Sequence, residues 1–177
     1  LGAFGDAGAI ITNNDQIAES IRVFRNYGSE KRYYNKVVGA NSRLDEIQAG
    51  LLRVRLKYLK DLSREKELLC KKYLAEIKNS KLLLPQIRDG ATHIWHQFVI
   101  RTNERDTLVQ YLNEKQIGTI IHYPIPPHLS EAYAYLGLKE GTLPITEEYA
   151  KTVLSIPLYN GMTGEEQDYV ISCLNAF

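Results

Sequence analysis

A helical pattern of unusual length occupies residues 43–78. Ser42 and Asp45 have the spacing of a capping box at its start. At about 1.5 Å per residue, a helix of this size would be roughly 50 Å long, and helices of that length usually connect two domains. We therefore predict one long connecting helix, with a kink near residues 60–63. Its apolar markers are Leu44, Ile47, Leu51, Val54, Leu62, Leu69, Tyr73 and Ile77.

The residues before this helix predict a strand, a helix and a loop. Residues 7–12 (AGAIIT) are apolar and partly β-branched, as in a buried strand. Residues 13–15 (NND) supply N-cap chemistry, and a helical pattern then runs to Tyr27 and Gly28. Residues 29–41 show no period and are expected to be an exposed loop. Because one strand and one helix cannot bury a core, and because the chain opens on Leu1 in a glycine-rich stretch, we expect a fragment of a larger protein.

The residues after the long helix predict a small α+β domain. Strands are expected at residues 93–102, 119–123 and 153–159, forming a three-stranded antiparallel sheet. The last helix is expected to begin with a capping box of Thr163 and Glu166. The fold class is therefore α/β, and the predicted parts are the end of a larger domain (1–42), the connecting helix (43–78) and a small C-terminal domain (79–177).

Composition and charge exclude several classes of function. The formal net charge is +1, whereas a general nucleic-acid binder normally has a clear basic excess. No apolar run approaches the ~20 residues that span a bilayer. Cys70 and Cys173 lie far apart without metal-ligand spacing, which is typical of reduced thiols in a cytoplasmic protein.

The segment 121–128 (IHYPIPPH) is the first candidate site. Its prolines restrict the backbone, and the loop follows a predicted strand, where binding residues are common. His122 and His128 are its candidate ligand-binding side chains. The alternative is a rigid surface turn with incidental histidines. We do not expect a metal site, because no third ligand stands at a supporting spacing.

A second candidate site combines basic and aromatic side chains in the predicted loop. Lys31, Tyr33 and Tyr34 can contact phosphates, a base or sugar hydroxyls, which suits a nucleotide diphosphate. The alternative is a solvated charged face. Asn41 and Arg43 stand beside a helix start, where free N–H groups favour a phosphate, although simple capping explains them equally well.

Several short motifs follow one another along the chain in a specific order and spacing, although each is weak alone. They are residues 1–9 (LGAFGDAGA), 25–28 (RNYG), 39–49 (GANSRLDEIQA), 122–124 (HYP) with His128, 143–144 (LP) and 155–158 (SIPL). Taken together, these motifs resemble the DegT/DnrJ/StrS family of pyridoxal-phosphate (PLP) sugar aminotransferases along essentially the whole chain. Two further stretches, 27–34 and 117–126, are similar to members that aminate C3 of a dTDP-linked 3-keto-6-deoxyhexose.

The resemblance implies an aspartate-aminotransferase-like fold (fold type I) and a homodimer with shared active sites. It implies that Asn41 contacts the PLP phosphate of the partner subunit, with Arg43 and residues 31–34 near that subunit's nucleotide sugar and His128 near the sugar. The Schiff-base lysine is expected upstream of Leu1, so no catalytic residue is assigned within the chain. We expect the chain alone to be inactive and without cofactor.

The implied reaction is glutamate-dependent amination of a nucleotide-linked keto-deoxysugar, for cell-surface polysaccharide (including lipopolysaccharide) or secondary-metabolite sugars. Two alternatives stay open at this point. Some relatives have histidine in place of the lysine and deoxygenate a keto-sugar instead. Other members have been labelled regulatory proteins, although nothing here resembles a DNA-reading helix and the charge balance argues against binding a phosphate backbone.

Overall fold

The computed structural model describes residues 1–177, which form two compact units, Leu1–Lys60 and Asp61–Phe177. The combination of small sheets and several helices agrees with the predicted α/β class. Two 3₁₀ turns, Pro127–Leu129 and Glu131–Leu136, complete the second unit. The helices and strands are α1 (Asp15–Phe24), β1 (Ser29–Lys31), β2 (Tyr34–Asn35), α2 (Glu46–Lys57), α3 (Leu59–Glu76), β3 (Phe98–Arg101), α4 (Arg105–Glu114), α5 (Pro144–Thr152), β4 (Val153–Ile156) and α6 (Gly164–Ala176).

Helix α1 begins where the sequence predicts it. The Asn14 side chain accepts a hydrogen bond from the Ile17 N–H at 3.1 Å, which satisfies one of the free donors of the first turn. Val23 is the only buried apolar side chain of the first unit. This unit therefore depends mainly on backbone hydrogen bonds and short contacts between neighbouring segments.

The predicted strand at residues 7–12 is wrong. These residues are exposed and form no strand, and Ile11 is 95% exposed. The apolar pattern is that of a strand, but a strand needs a neighbour to pair its N–H and C=O groups. The chain offers these residues no such neighbour.

Residues 29–41 contain a hairpin where we predicted a loop without structure. Strand β1 pairs antiparallel with β2, and the chain turns at Arg32 and Tyr33. Tyr33 has a φ of 72°, in the left-handed region that hairpin turns require. The loop prediction failed because two-residue and three-residue strands are too short to show an alternating pattern. The predicted exposure is confirmed.

The long helical pattern contains two helices, α2 and α3, separated at Tyr58. The break lies two residues before the predicted kink. Helix α2 also begins later than predicted, at Glu46, and its N-cap Asp45 makes no side-chain hydrogen bond. The predicted capping box at Ser42 is wrong because the Ser42 N–H instead donates to the carbonyl of Arg25 at 2.9 Å.

The second unit has a continuous apolar core. Strands β3 and β4 pair antiparallel, and Phe98, Ile100 and Leu154 on them are fully buried. Helices α3, α4 and α6 supply further fully buried side chains, among them the apolar Tyr73, Leu108, Leu112 and Leu174. This packed core is the support on which the polar residues of the unit are held.

The predicted strand at residues 119–123 is reduced to one residue pair, so the predicted three-stranded sheet has only the two strands β3 and β4. Ile120 forms a single antiparallel bridge with Ser155, and the chain then leaves the sheet. Pro124, Pro126 and Pro127 follow, and proline has no N–H to continue a ladder. The capping box of α6 is confirmed: the Thr163 hydroxyl accepts from the Glu166 N–H at 3.2 Å, and the Glu166 carboxylate accepts from the Thr163 N–H at 2.8 Å.

Candidate functional site

The turn that follows α1 is joined to residues 39–42 by three backbone hydrogen bonds. Tyr27 donates to Ala40 at 2.9 Å, Ala40 donates to Phe24 at 2.8 Å, and Ser42 donates to Arg25 at 2.9 Å. As a result, Asn26 and Asn41 form an antiparallel bridge although they are distant in sequence.

Two glycines permit this close approach. A Cβ on Gly39 would lie 2.2 Å from the Gly28 nitrogen, and one on Gly28 would lie 1.8 Å from the Val37 carbonyl oxygen. Gly28 also has a φ of 73°. Because the obstructing atoms belong to the backbone, no side-chain rotation relieves the clash. Glycine is therefore required at both positions for the two segments to meet.

Four side chains form a hydrogen-bonded group on this support, which we call the Asn41 platform: Asn26, Tyr27, Asn41 and Arg43. The Asn41 amide donates to the Tyr27 hydroxyl at 2.8 Å. Arg43 donates from Nε to Asn41 Oδ1 at 3.0 Å and from Nη1 to Asn26 Oδ1 at 3.2 Å. Its guanidinium also lies 5.4 Å from the centroid of the Tyr27 ring. The structure thus brings the predicted pair Asn41 and Arg43 into direct contact.

The platform keeps free donors. Asn41 Nδ2 carries two hydrogens and uses one for Tyr27, and Arg43 Nη2 makes no hydrogen bond. Both side chains are exposed, and no carboxylate belongs to the group. An array of amide and guanidinium donors with a net positive charge is suited to a phosphate. The donor set fits the phosphate end of PLP, while nothing in the platform is suited to form a covalent bond with its ring.

The hairpin carries the second group of predicted residues, on the same unit. Lys31 Nζ lies 5.2 Å from the Tyr34 ring centroid, and the Arg32 guanidinium lies 5.0 Å from that of Tyr33. All four side chains are exposed. Neither cation is paired with a carboxylate, so the hairpin presents two free positive charges beside aromatic faces. Such a surface can contact a phosphate and stack on a base.

Charge pairing and backbone contacts hold the hairpin in place. Glu30 pairs instead with Lys36 at 2.8 Å, and this hydrogen bond raises the pKa of the lysine. The Lys36 N–H donates to the Gly28 carbonyl at 2.8 Å. The hairpin is therefore attached to the same turn that supports the Asn41 platform.

His128 lies in the second unit and is buried, with its side chain 5% exposed. Its Nε2 lies 3.0 Å from the Glu147 carboxylate. That carboxylate also accepts the N–H groups of Gly141 at 2.7 Å and Leu143 at 3.1 Å. The pKa of Glu147 is lowered, because the hydrogen bond from the Gly141 N–H, and after it those from Leu143 and His128, outweigh the opposing effect of burial. Glu147 is therefore ionised at neutral pH.

Sequence reasoning missed Glu147, although a signal was present. Helix α5 has Leu143 as its N-cap, which has no side-chain acceptor, and Pro144 follows it. An acidic side chain in the first turns is a candidate acceptor for N–H groups at such a helix start, and Glu147 accepts the N–H groups of Leu143 and Gly141 just before the helix. The contact between Tyr27 and Asn41 was likewise not predicted, because it spans 14 residues.

His122 occupies a different place from His128. Its Nδ1 lies 2.9 Å from the Ser155 hydroxyl, and it lines a cavity of about 200 Å³ together with His96, Thr119 and Ser155. His128 lines another cavity. The two histidines of the proline-rich segment therefore do not form one site. No cluster of three or more His, Cys, Asp or Glu side chains could hold a metal ion, and no helix is both long and apolar enough to cross a membrane.

Comparisons with known proteins agree with the resemblance seen in the motifs. Residues 1–175 match the DegT/DnrJ/EryC1/StrS aminotransferase family. The chain is 44% identical over 177 residues to the erythromycin biosynthesis sensory transduction protein EryC1 of Saccharopolyspora erythraea, covering 99% of this chain and 48% of that protein. It is 44% identical over 170 residues to the dTDP-3-amino-3,6-dideoxy-alpha-D-galactopyranose transaminase of Aneurinibacillus thermoaerophilus, covering 96% of this chain and 46% of that protein.

Solved structures share the fold. The DesV protein of S. venezuelae, in complex with a ketimine intermediate, superposes with a TM-score of 0.96 at 39% identity and covers 99% of this chain and 48% of its own. A Bacillus subtilis relative with bound cofactor PMP has a TM-score of 0.87 at 30% identity, covering 98% of this chain and 42% of its own. The chain spans about half the length of the curated relatives it matches.

Proposed function

Because the chain belongs to the DegT/DnrJ/EryC1/StrS aminotransferase family, we propose that the whole protein is a PLP-dependent aminotransferase. Its substrate is a nucleotide-linked, dTDP-bearing keto-deoxysugar, and glutamate is the amino donor. The reaction supplies amino sugars in the cytoplasm for cell-surface or secondary-metabolite biosynthesis. The names of the relatives, among them a dTDP-amino-sugar transaminase, support this substrate class.

The observation that carries the proposal is the Asn41 platform. Within the proposed homodimer, Asn41 and Arg43 of one subunit bind the PLP phosphate of the partner subunit. The free amide hydrogen of Asn41 and the free Nη2 of Arg43 donate to phosphate oxygens. Contacts to Tyr27 and Asn26 hold both side chains in one conformation, so little rotamer entropy is lost on binding.

The remaining residues of the proposed site bind the nucleotide sugar. Lys31 neutralises the diphosphate, and Tyr33 and Tyr34 stack on the base or donate to sugar hydroxyls. His128 contacts the sugar, whereas His122 lines a separate cavity and is not assigned to this site. When bound, PLP supplies the electron sink that allows the amino group to move between carbonyl carbons. The residues of this chain contribute binding and orientation, which lower the barrier by holding the reacting groups in place.

We further propose that three parts of the chain have different structural roles. Residues 1–42 complete the PLP-binding domain, residues 43–78 connect it to the next domain, and residues 79–177 form the small domain beside the active site. The Schiff-base lysine lies outside residues 1–177. In this arrangement the chain by itself neither holds the cofactor nor catalyses the reaction.

The experiment uses the whole protein that contains this chain. PLP affinity is measured by titration of the apoprotein, and formation of 2-oxoglutarate from glutamate is measured with a dTDP-keto-deoxysugar as acceptor. Asn41→Ala should weaken PLP binding by about tenfold, the effect of losing one charge-assisted hydrogen bond. Asn13→Ala, which removes an exposed amide without a hydrogen bond, is the control.

Three results would contradict the proposal. Unchanged PLP affinity of Asn41→Ala would exclude the phosphate role of this residue. A protein that binds PLP but forms no 2-oxoglutarate would not be an aminotransferase of this kind, and loss of a sugar oxygen without amino transfer would indicate the deoxygenase alternative.

A further inference from the structure

The hydrogen bonds of the Asn41 platform fix the direction of the bond between Asn41 and Tyr27. Arg43 Nε can only donate, so the Asn41 atom that lies 3.0 Å from it must be the acceptor Oδ1. The Asn41 nitrogen Nδ2 therefore faces the Tyr27 hydroxyl, 2.8 Å away, and an amide nitrogen can only donate. The Tyr27 oxygen is consequently the acceptor of this hydrogen bond.

This arrangement leaves the hydrogen of the Tyr27 hydroxyl free. A phenolic hydroxyl has one hydrogen to donate, and it cannot point at Asn41, whose N–H occupies that side of the oxygen. The two carbonyl oxygens of the platform, Asn41 Oδ1 and Asn26 Oδ1, are instead occupied by Arg43. Tyr27 is 50% exposed, so the residue is accessible to a ligand that could accept its O–H.

The backbone conformation of Tyr27 supports a role for its side chain. Its φ of 59° lies in the left-handed region, which is uncommon for a residue with a large side chain. The Tyr27 N–H donates to the Ala40 carbonyl at 2.9 Å, which holds this conformation. Unfavourable backbone conformations persist only where the surrounding structure imposes them, and they cluster at ligand sites. Here the conformation places the hydroxyl beside Asn41 and the ring beside the Arg43 guanidinium.

Three neighbouring side chains thus offer free donors: Asn41 with its second amide hydrogen, Tyr27 with its O–H and Arg43 with Nη2. A phosphate group has three strong acceptor oxygens. The Asn41 N–H polarises the Tyr27 hydroxyl that accepts it, which makes the O–H a stronger donor. The arrangement therefore suits an anion with several acceptor oxygens.

We propose that the Tyr27 hydroxyl is a further phosphate donor, which binds the same phosphate group as Asn41 and is aimed at it by the Asn41 amide. This inference rests on the proposed function for the identity of that group as the PLP phosphate of the partner subunit. The diphosphate of a nucleotide sugar offers the same acceptor oxygens, so the two sources of phosphate have to be separated by experiment.

The experiment compares PLP with pyridoxal, which lacks the phosphate, in titrations of the whole protein prepared without cofactor. Tyr27→Phe removes only the hydroxyl and keeps the ring beside Arg43. It should weaken PLP binding about tenfold, as expected for one hydrogen bond to a charged group, and leave pyridoxal binding unchanged. Equal weakening of both ligands, or no weakening of either, would overturn the proposal.

Tyr58→Phe is the matched control. Tyr58 is an exposed tyrosine of the same unit and takes part in none of the hydrogen bonds of the platform. This variant should bind PLP and pyridoxal like the wild type. A loss of PLP affinity as large as that of Tyr27→Phe would count against a specific role of the Tyr27 hydroxyl.

A double substitution separates direct contact with the phosphate from support of Asn41. If the Tyr27 hydroxyl itself donates to the phosphate, Tyr27→Phe should weaken PLP binding further when it is added to Asn41→Ala. An affinity equal to that of Asn41→Ala alone would mean that the hydroxyl acts only through the Asn41 amide. That result would overturn the direct contact.

The nucleotide is tested separately, by titrating dTDP into the protein loaded with PLP. The wild type and Tyr27→Phe should bind dTDP with the same affinity, and a loss for dTDP but not for PLP would overturn the assignment to PLP. A wild type that binds PLP but transfers no amino group would instead refute the proposed function. The ratio of PLP affinity to pyridoxal affinity would still decide the role of Tyr27.

Discussion

Replacing Gly39 by alanine should separate the segments that support the Asn41 platform. The added Cβ would lie 2.2 Å from the Gly28 nitrogen and 2.6 Å from the Phe24 carbonyl oxygen. Real Cβ atoms do not approach other heavy atoms so closely, and neither obstacle is a flexible side chain. The backbone near residue 39 must therefore move away from the turn after α1.

The size of the effect follows from the contacts that this movement breaks. Three backbone hydrogen bonds connect the segments: Tyr27 to Ala40, Ala40 to Phe24, and Ser42 to Arg25. Each contributes about 0.5–1.5 kcal/mol, so the loss of all three costs roughly 1.5–4.5 kcal/mol. Since about 1.4 kcal/mol corresponds to a tenfold change, local opening should become from about tenfold to about a thousandfold more frequent.

Amide hydrogen exchange of the 177-residue chain measures this opening directly. The N–H groups of Tyr27, Ala40 and Ser42 should exchange faster in Gly39→Ala, whereas the Ile100 amide in the second unit should be unaffected. Gly50→Ala is the matched control: no heavy atom lies within 4 Å of its added Cβ, and alanine should stabilise α2 by about 1 kcal/mol. If Gly39→Ala exchanged like Gly50→Ala at the three amides, close packing of the two segments would not support the platform.

Two further predictions concern the second unit. Tyr73→Phe should lower the free energy of unfolding by about 1–3 kcal/mol in urea denaturation. The reason is that the fully buried Tyr73 hydroxyl donates to the Pro157 carbonyl at 2.9 Å, and the substitution leaves this carbonyl unpaired. The exposed Tyr133→Phe should change the free energy of unfolding little, and equal effects of the two substitutions would refute this reasoning. Glu65→Gln should destabilise the chain at pH 7 but not in acid. The Gly161 N–H, followed by an asparagine side chain, lowers the pKa of the Glu65 carboxylate, so the stabilisation is complete above its ordinary pKa of 4.5 and is lost as the pH falls through the lowered value. Thermal unfolding between pH 7 and pH 3 measures the difference, and a difference that does not narrow in acid would contradict the assigned cause.

Much of the local structure could be predicted from the sequence. The N-cap of α1 at Asn14 and the capping box of α6 at Thr163 and Glu166 are confirmed, because each depends on side chains that reach N–H groups only three residues away. The burial of Val170 and Leu174 in α6 follows from helical periodicity in the same way. The grouping of Asn41 with Arg43 was also visible, because they are two residues apart.

Tertiary structure decided the rest. Residues 7–12 have the composition of a strand, but strand formation requires a partner that composition cannot supply. The contact between Asn41 and Tyr27 depends on two glycines that let distant backbones meet, and the contact between Glu147 and His128 spans 19 residues. Such contacts form only when the free energy of the whole fold brings the segments together. Hydrogen bonds within one turn of chain can therefore be read from neighbouring residues, whereas pairing between segments depends on the packing that surrounds them.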